Sequence, residues 1–484
     1  MKYQMPIRQM AVKYQKLQTG STLIFSIVVI FIFSMVMLST LSYATIQLKT
    51  LRGAVARQQA FQIAEAGVNY YLWRLAHFPT DFQDGTGAPG PYIHSYIDKD
   101  LQITIGTYSL NIIPPPVGST VVTIQSTGYT VENPNIKRTI TARYGIPSLA
   151  KFGFLSNSDA WIGSTESVTG EFKTNGGARF DGTGNAAISS AKITYQCVPL
   201  FGCSPTSTKP GIWGSAPTST QAFWSVGVPN TDFSGMTSDL ATIKTNAQAG
   251  GIYLPPAGAA LGYSIVFKSN AKLDVYKVNS LISHVTGYDV AGGAHPENLD
   301  YNNRTLVSGY SNIDMPVNGL IFVEDKVWVE GMVNGRVMVA AAKFPYVLAS
   351  APNILIPNNI CYSACGAGRD LTSSLGLLAQ KDILLTYFSP LNLEIDAAMI
   401  AQNGSAQHYN FGSCAIPRAV KNNLTIFGTV GSFGVWTWSW ICGSTTVSGY
   451  QNTNTIYDTN LLYAPPPSFP LTTEGYKQIS WTSD

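Results

Sequence analysis

The sequence predicts an α+β protein with one long N-terminal transmembrane helix, a small antiparallel sheet and a large all-β module. An uncharged apolar run at residues 21–48 predicts the helix. Runs of alternating polar and apolar residues between 101 and 146 predict the sheet. Many short apolar runs separated by Gly, Asn and Asp predict the module, which we interpret as a β-solenoid, with a β-sandwich as the alternative.

The apolar run is long enough to cross a membrane. A helix over residues 21–48 would reach roughly 42 Å, against about 30 Å for the hydrocarbon core of a bilayer. Residues 1–20 contain no acidic residue, and their basic residues are Lys2, Arg8, Lys13 and Lys16. This charge asymmetry predicts a cytoplasmic N-terminus and places residues 49–484 outside the cytoplasm.

The helical pattern continues beyond the membrane segment, so the predicted helix spans residues 21–78. No proline occurs between Pro6 and Pro79, and apolar positions recur at roughly 3.5-residue spacing as far as Leu72. The second half of the helix must therefore pack one face, either against its own head domain or against neighbouring subunits.

Residues 79–146 are predicted to form a small head. A turn-rich loop starts at Pro79, and alternating runs follow at residues 101–113, 120–131 and 136–146. Proline, glycine and asparagine between these runs are turn signals. We expect an antiparallel meander that covers the helix.

The all-β module is predicted for residues 147–464. Residues 204–318 are interpreted as an insertion in this module. One amphipathic helix is predicted there, near residues 233–250. Residues 465–484 are proline-rich and are predicted to form an extended tail laid over the edge of the module.

The cysteines all follow the membrane segment. An even number in an extracytoplasmic region favours disulfides, although six cysteines allow fifteen pairings. Pairing of nearest neighbours is our prediction, and it gives Cys197 with Cys203, Cys361 with Cys365, and Cys414 with Cys442. A metal cluster is the alternative, but no CxxC motif occurs and no histidine lies beside a cysteine.

The composition argues against nucleic acid as a partner and offers no motif for chemistry. The formal net charge is +3 and charged residues make up 12% of the chain, whereas phosphate binding needs concentrated Lys and Arg. The histidines have no metal-ligand spacing, and no G-x-S-x-G motif or P-loop occurs. The sequence predicts no enzyme activity, no catalytic residue, no cofactor and no metal. Calcium near Glu297, Asp300 and Asp314 stays open without a supporting spacing.

Two groups of side chains are candidates for ligand contact. Glu394 and Asp396 alternate with apolar residues and would share a strand face, as paired carboxylates of a polysaccharide-active enzyme would. Solvated carboxylates are the favoured interpretation. The tryptophans Trp436, Trp438 and Trp440 alternate in the same way and could stack on sugar rings, anchor a protein partner, or pack against the tail.

A basic leader ending in Gly20, followed by Ser-Thr-Leu-Ile and a long apolar helix, resembles a type IV prepilin. Residues 56–75, with the sequence ARQQAFQIAEAGVNYYLWRL, resemble the Ala-Glu-Ala-Gly block of PilX-type minor pilins. Residues 126–144 resemble the last strands of their heads. The resemblance implies cleavage by prepilin peptidase between Gly20 and Ser21, methylation of the new N-terminus, and packing against other pilins through the helix.

The chain departs from the prepilin pattern at two positions. Ser21 stands where phenylalanine is usual, and Phe25 stands where glutamate is usual. In the family, this carboxylate neutralises the amino terminus of a neighbouring subunit inside an apolar bundle, where an unpaired charge is expensive. Similar subunits without the glutamate sit at the tip, so the resemblance implies a tip position here.

These observations predict a minor pilin that primes assembly of a type IV pilus and displays a β-rich adhesion module at or near its tip. It would lie in the cytoplasmic membrane before assembly and in the extracellular pilus afterwards. The implied partners are other pilins, prepilin peptidase, and a surface glycan or protein. The alternatives are a membrane-anchored, polysaccharide-active β-helix enzyme and a plain signal-anchored envelope protein.

Overall fold

A computed structural model describes residues 19–116, 119–233 and 236–484 of the protein. One long N-terminal helix is followed by a large β-rich region with several sheets. Residues 1–18 of the predicted basic leader lie outside the described residues.

Helix α1 (Thr19–His77) is unbroken. Its first half is exposed all round, whereas its second half buries a stripe formed by Ala56, Ala60, Ile63, Ala64, Val68, Tyr71 and Leu75. Steps of three and four residues place this stripe on one face of the helix. Within the described ranges, α1 is the one helix whose length and composition would allow it to cross a membrane.

The head sheet is antiparallel, and its first four strands follow one another along the chain. They are β1 (Tyr92–Ile97), β2 (Thr104–Ile113), β3 (Val121–Thr130) and β4 (Arg138–Gly145). Leu110, Val122, Ile124 and Ile140 of this sheet pack against the buried stripe of α1. The last three strands match the predicted meander. Strand β1 was missed, because its segment was interpreted as part of a turn-rich loop.

The β-rich body starts at a short 3₁₀ turn, Leu149–Lys151. Its first elements in chain order are β5 (Phe152–Ser156), β6 (Ala160–Ile162), β7 (Glu166–Val168), β8 (Glu171–Thr174), β9 (Ala178–Phe180), β10 (Thr183–Gly184), β11 (Ile188–Ser190), β12 (Thr194–Cys197), β13 (Ser207–Pro210), β14 (Ile212–Trp213), α2 (Thr218–Gln221) and β15 (Trp224–Val226).

The middle of the body contains α3 (Met236–Gly250), close to the predicted helix. The strands that follow it are β16 (Ile252–Leu254), β17 (Tyr263–Lys268), β18 (Lys272–Leu281), β19 (Gly287–Tyr288), β20 (Ala294–His295), β21 (Tyr301–Leu306) and β22 (Ile313–Asp314).

The remaining elements run from the end of the insertion to the tail. They are β23 (Leu320–Val323), β24 (Val327–Val333), β25 (Arg336–Ala341), β26 (Ile354–Ile356), β27 (Ile360–Tyr362), β28 (Ser374–Ala379), β29 (Ile383–Leu385), β30 (Asn392–Ala401), β31 (Ala406–His408), β32 (Val420–Ser432), β33 (Ser439–Cys442), β34 (Thr445–Ile456) and β35 (Lys477–Ser483).

Parallel pairing dominates the body. One ladder of parallel neighbours runs β16–β23–β25–β28–β30–β32–β5–β8–β11–β15. A second runs β17–β24–β26–β29–β31. The chain therefore enters the first ladder in its middle at β5, runs to one end at β15, and restarts at the other end at β16. It then returns until β32 pairs with β5.

Apolar side chains fill the space between the ladders. The largest cluster includes Phe172, Ile265, Val329, Leu377 and Ile426. A second cluster lies on the other face of the first ladder, where Leu240 and Ile243 of α3 cover alternate residues of the strands. These strands are buried on both faces, which explains their continuous apolar runs.

The tail returns to the head rather than lying only on the body. Arg336 donates hydrogen bonds to the carbonyl oxygens of Ala464 and Pro465, which holds the tail against the first ladder. Strand β35 then pairs antiparallel with β4, so the head sheet has the order β1–β2–β3–β4–β35. The β-rich body is thus inserted between two neighbouring strands of the head sheet. This departs from the predicted tail, which had no strand.

Candidate functional site

The first half of α1 exposes a continuous series of apolar side chains. Residues 22–52 are all exposed, among them Leu23, Phe25 and Phe33 at 65%, 70% and 63%. A helix that is apolar all round and unpacked is suited to lipid or to a bundle of similar helices. This half of α1 therefore has the length and composition that crossing a membrane requires.

The predicted cleavage site and the departing position lie at the start of this surface. Gly20 and Ser21 are in the first turn of α1, and Phe25 follows one turn later. Phe25 is apolar, and residues 21–48 contain no charged side chain. A glutamate at position 25 would therefore be the sole charge in this segment.

The second half of α1 is fixed by close contact with the head sheet. A Cβ atom added at Gly128 of β3 would come within 2.4 Å of the Ala60 carbonyl oxygen and the Ala64 amide nitrogen. The backbone of the helix therefore touches the backbone of the strand at this point. Phe61 of α1 also meets Trp481 of β35 edge to face, with ring centroids 5.6 Å apart.

The cysteines form the three nearest-neighbour pairs that the sequence suggested. They are Cys197–Cys203, Cys361–Cys365 and Cys414–Cys442. Cys361 and Cys365 lie within 4.8 Å of a Glu394 oxygen, which is metal-ligand spacing. Because both sulfurs are oxidised, neither offers the thiolate that a metal would need.

The tryptophan row is not a ligand-stacking surface. Trp436 and Trp438 are 7% and 1% exposed and belong to the main apolar cluster, where Trp436 packs against Phe154. The stacking hypothesis is therefore wrong for these two residues. The segment does not form the expected strand, since β33 starts at Ser439. Trp440 is half-buried, and its indole N–H donates to the His408 carbonyl oxygen at 2.7 Å.

The candidate carboxylate pair, Glu394 and Asp396, is held by one cation. Arg369 donates to a Glu394 oxygen and, at 3.2 Å, to Asp396. Asp396 is fully buried and also accepts from the Tyr362 amide at 2.9 Å. Burial raises the pKa of Asp396 to about 6, although the hydrogen bonds from Tyr362 and Arg369 act in the opposite direction. These ion pairs join β30 to the loop between β27 and β28, which carries Arg369.

The residues considered for calcium do not meet at one point. Asp300 accepts from the Phe388 amide, Asp314 pairs with Lys272, and Glu297 contacts His295. Each carboxylate thus has its own partner within the described chain. The sequence placed them near one another only along the chain.

A cluster around His295 was not found from the sequence. Its Nε2 lies 2.9 Å from Asp289 and its Nδ1 lies 3.0 Å from Glu297, while the ring stacks on Tyr409 with centroids 4.2 Å apart. Burial opposes ionisation of Asp289, but hydrogen bonds from His295 and the Gly293 amide lower its pKa overall. The spacing of Asp289, His295 and Glu297 in one hairpin was the available signal.

Asp382 also lines this region, but its pKa is shifted upward, whereas the pKa of Asp289 is shifted downward. Its side chain is 7% exposed, and burial raises its pKa. Its Oδ1 accepts from the Ser405 amide at 2.8 Å, and Lys381 lies 3.8 Å from Oδ2. The hairpin and the strand ends therefore bring two carboxylates of different proton affinity, a histidine and a lysine to one region.

No protein-family model and no curated protein matches this sequence. Among solved structures, the crystal structure of the competence-associated pilin ComZ from Thermus thermophilus is similar to it over 89% of this chain and 97% of that chain. The sequence identity is 14% and the TM-score is 0.28, which is a distant likeness.

Proposed function

We propose that this protein is a minor pilin of the PilX type that carries a β-rich body at or near the tip of a type IV pilus. The observation that carries the proposal is the division of α1 into two halves. The first half exposes apolar side chains on every side, and the second half is packed on a small antiparallel sheet. A soluble protein would not leave so large an apolar surface uncovered.

Before assembly, the exposed half of α1 would hold the protein in the cytoplasmic membrane, with the head and the body outside. The disulfides suit that location, because they persist in oxidising compartments. After assembly, the same surface would pack against the helices of other pilins in the extracellular fibre.

The first prediction is that prepilin peptidase removes residues 1–20. We expect the intact mass of protein co-expressed with the peptidase to match a chain that starts at Ser21 with a methylated amino terminus. Without the peptidase, the mass should match the uncut chain.

A Gly20→Leu variant is the matched control and should stay uncut in both cultures. An intact Met1 start of the parent protein in both cultures would contradict the proposal. It would leave the alternative of a signal-anchored envelope protein.

The second prediction concerns position within the fibre. Phe25 cannot neutralise the amino terminus of a subunit above it, so we expect antibody labelling of the parent protein at pilus ends. A Phe25→Glu variant supplies the carboxylate and should be labelled along the shaft as well. Electron microscopy of immunogold-labelled pili measures both distributions. Labelling of the parent along the shaft would contradict the tip position. Phe33→Glu is the control, because it places the same charge elsewhere in the apolar half of α1.

We also infer that the β-rich body is a solenoid whose coils stack through parallel ladders. Parallel neighbours separated by one coil of chain support this, because the sheets of a sandwich are built from antiparallel strands. The body would then be a rigid display module with an adhesive role. Catalysis by Glu394 and Asp396 is not favoured, since Arg369 binds both carboxylates.

A further inference from the structure

A cavity of about 400 Å³ opens between the β19–β20 hairpin and the ends of stacked strands in the body. Asp382 precedes β29 and Ser405 precedes β31, and these two strands pair in parallel. Val435 lies in the next connection, where the Gly434 amide donates to the Gly404 carbonyl oxygen at 2.7 Å. The floor of the cavity is therefore formed by residues that directly flank regular, buried strands, which limit the movement of the connections.

One wall of the cavity is polar. Asp382 accepts a hydrogen bond of 2.8 Å from the Ser405 amide, and Gln407 lies two residues beyond Ser405 in β31. Gln407 is 4% exposed, and its Oε1 has no hydrogen-bond donor among the described residues. A buried acceptor without a donor is costly, so a donor from a ligand would be stabilising there.

The hairpin supplies the charged rim. Asp289 and His295 lie 2.9 Å apart at the cavity, and the His295 ring is fixed by stacking on Tyr409. Lys381 lines the same cavity. Two carboxylates, Asp289 and Asp382, thus lie at the cavity with one lysine, and burial raises the pKa of Asp382, which favours its neutral form.

Apolar side chains form another part of the wall. They are Leu200 and Val435, and Leu200 belongs to the loop closed by Cys197 and Cys203. Phe201 of that loop is buried, which anchors the loop on the body. A short disulfide-closed loop restricts the movement of Leu200, so this wall is formed before a ligand arrives.

We propose that this cavity binds a neutral pyranose sugar. A pyranose has hydroxyl groups at its edge and an apolar face of C–H groups, which match the polar and apolar walls. The cavity lining combines polar with apolar side chains, and a volume of about 400 Å³ lies within the usual range for small-molecule sites. Rotation of the buried Gln407 amide toward the cavity would let its unpaired oxygen accept a hydroxyl of the sugar. This proposal depends on the cavity alone and not on processing or assembly of the helix.

Saturation-transfer NMR on the full chain tests the proposal. The chain is held in a zwitterionic detergent without a sugar head group, and the probes are glucose, galactose, mannose and N-acetylglucosamine. We expect saturation transfer from the protein to at least one of these sugars. Transfer to none of them would overturn the proposal.

Val435→Trp fills the cavity and should reduce the transfer at least tenfold. Val317→Trp is the matched control, because Val317 is 98% exposed and does not line the cavity. It should bind like the parent. Equal binding by Val435→Trp and the parent would also overturn the proposal.

Gln407→Leu provides a second, nearly isosteric variant in case the tryptophan disturbs folding. It removes the unpaired acceptor, and we expect transfer to fall several-fold while the melting temperature stays close to that of the parent. Unchanged saturation transfer in this variant would show that Gln407 does not accept a hydrogen bond from a sugar hydroxyl. Failure of sugar binding would leave leader cleavage unaffected, so the two proposals are tested separately.

Discussion

Replacing Arg369 by methionine is expected to lower the free energy of unfolding of the β-rich body by about 3–5 kcal/mol at neutral pH. The substitution removes the shared cation from Glu394 and from the fully buried Asp396. Removing one partner of a buried ion pair leaves an uncompensated charge, which is the expensive part of the change. Denaturant titration followed by tryptophan fluorescence measures the difference.

The loss should depend on pH in a defined direction. The folded-state pKa of Asp396, about 6, is above its ordinary value, so ionisation of Asp396 opposes folding as pH rises through this range. Without Arg369, the pKa should rise further and the penalty at neutral pH should grow. We therefore expect the difference between variant and parent to shrink as pH falls toward about 4, where Asp396 is protonated.

Two control variants isolate the buried charge. Asp396→Asn in the Arg369→Met background should recover most of the lost stability at neutral pH. Lys272→Met breaks an exposed pair with Asp314, which is 84% exposed, and should change stability by no more than about 1 kcal/mol. Similar losses of unfolding free energy for Arg369→Met and Lys272→Met would contradict a special contribution of the buried Arg369–Asp396 pair.

Replacing Gly128 by alanine is expected to destabilise the contact between α1 and the head sheet by about 2–3 kcal/mol. The added Cβ would lie 2.4 Å from backbone atoms of Ala60 and Ala64, so the helix must shift away from β3. Backbone atoms cannot move aside as a flexible side chain can. Hydrogen exchange should accelerate in residues 56–75 and in β3.

Gly53→Ala is the matched control. No atom lies within 4 Å of a Cβ at Gly53, and alanine is favoured over glycine inside a helix by roughly 0.5–1 kcal/mol. The same chemical change should therefore slow exchange near residue 53 and accelerate it near residue 128. Equal effects at the two sites would show that the close approach at Gly128 is unimportant.

The features that sequence predicted well are those set by nearby residues. Helix α1 follows from a long run without proline and from an apolar stripe, and both are visible in a short window. The three cysteine pairs join near neighbours along the chain. Strands β2–β4 follow from alternation and from the turns between them.

The features that sequence reasoning missed depend on contacts between distant segments. Gln478 of β35 reaches Tyr144 across 334 residues, and nothing in the last twenty residues indicates which sheet they join. The order of strands in the first ladder was equally hidden, because β32 meets β5 only after the chain has passed both ends of the ladder. The spacing of short apolar runs gives the strands but not their neighbours.

The candidate site also combines features that local sequence predicted with features that depend on distant contacts. Alternation correctly placed Glu394 and Asp396 on one strand, but it could not show that Arg369 binds them. Alternation was misleading for Trp436 and Trp438, since the segment turns into the core instead of forming a strand. The cavity at Asp382 and Gln407 combines a hairpin, a disulfide loop and two strand ends, so no local pattern contains it.

The insertion of the body between β4 and β35 has a mechanical consequence. Gly145 and Lys477 pair at the same end of the two strands, so both connections to the body leave the sheet side by side. A pull on the body loads β4 and β35 in the same direction and does not slide one past the other. The tension passes instead to the ladder between β3 and β4, where eight residue pairs bear it lengthwise and together. The head is thereby arranged to resist traction in shear, rather than by peeling one strand at a time.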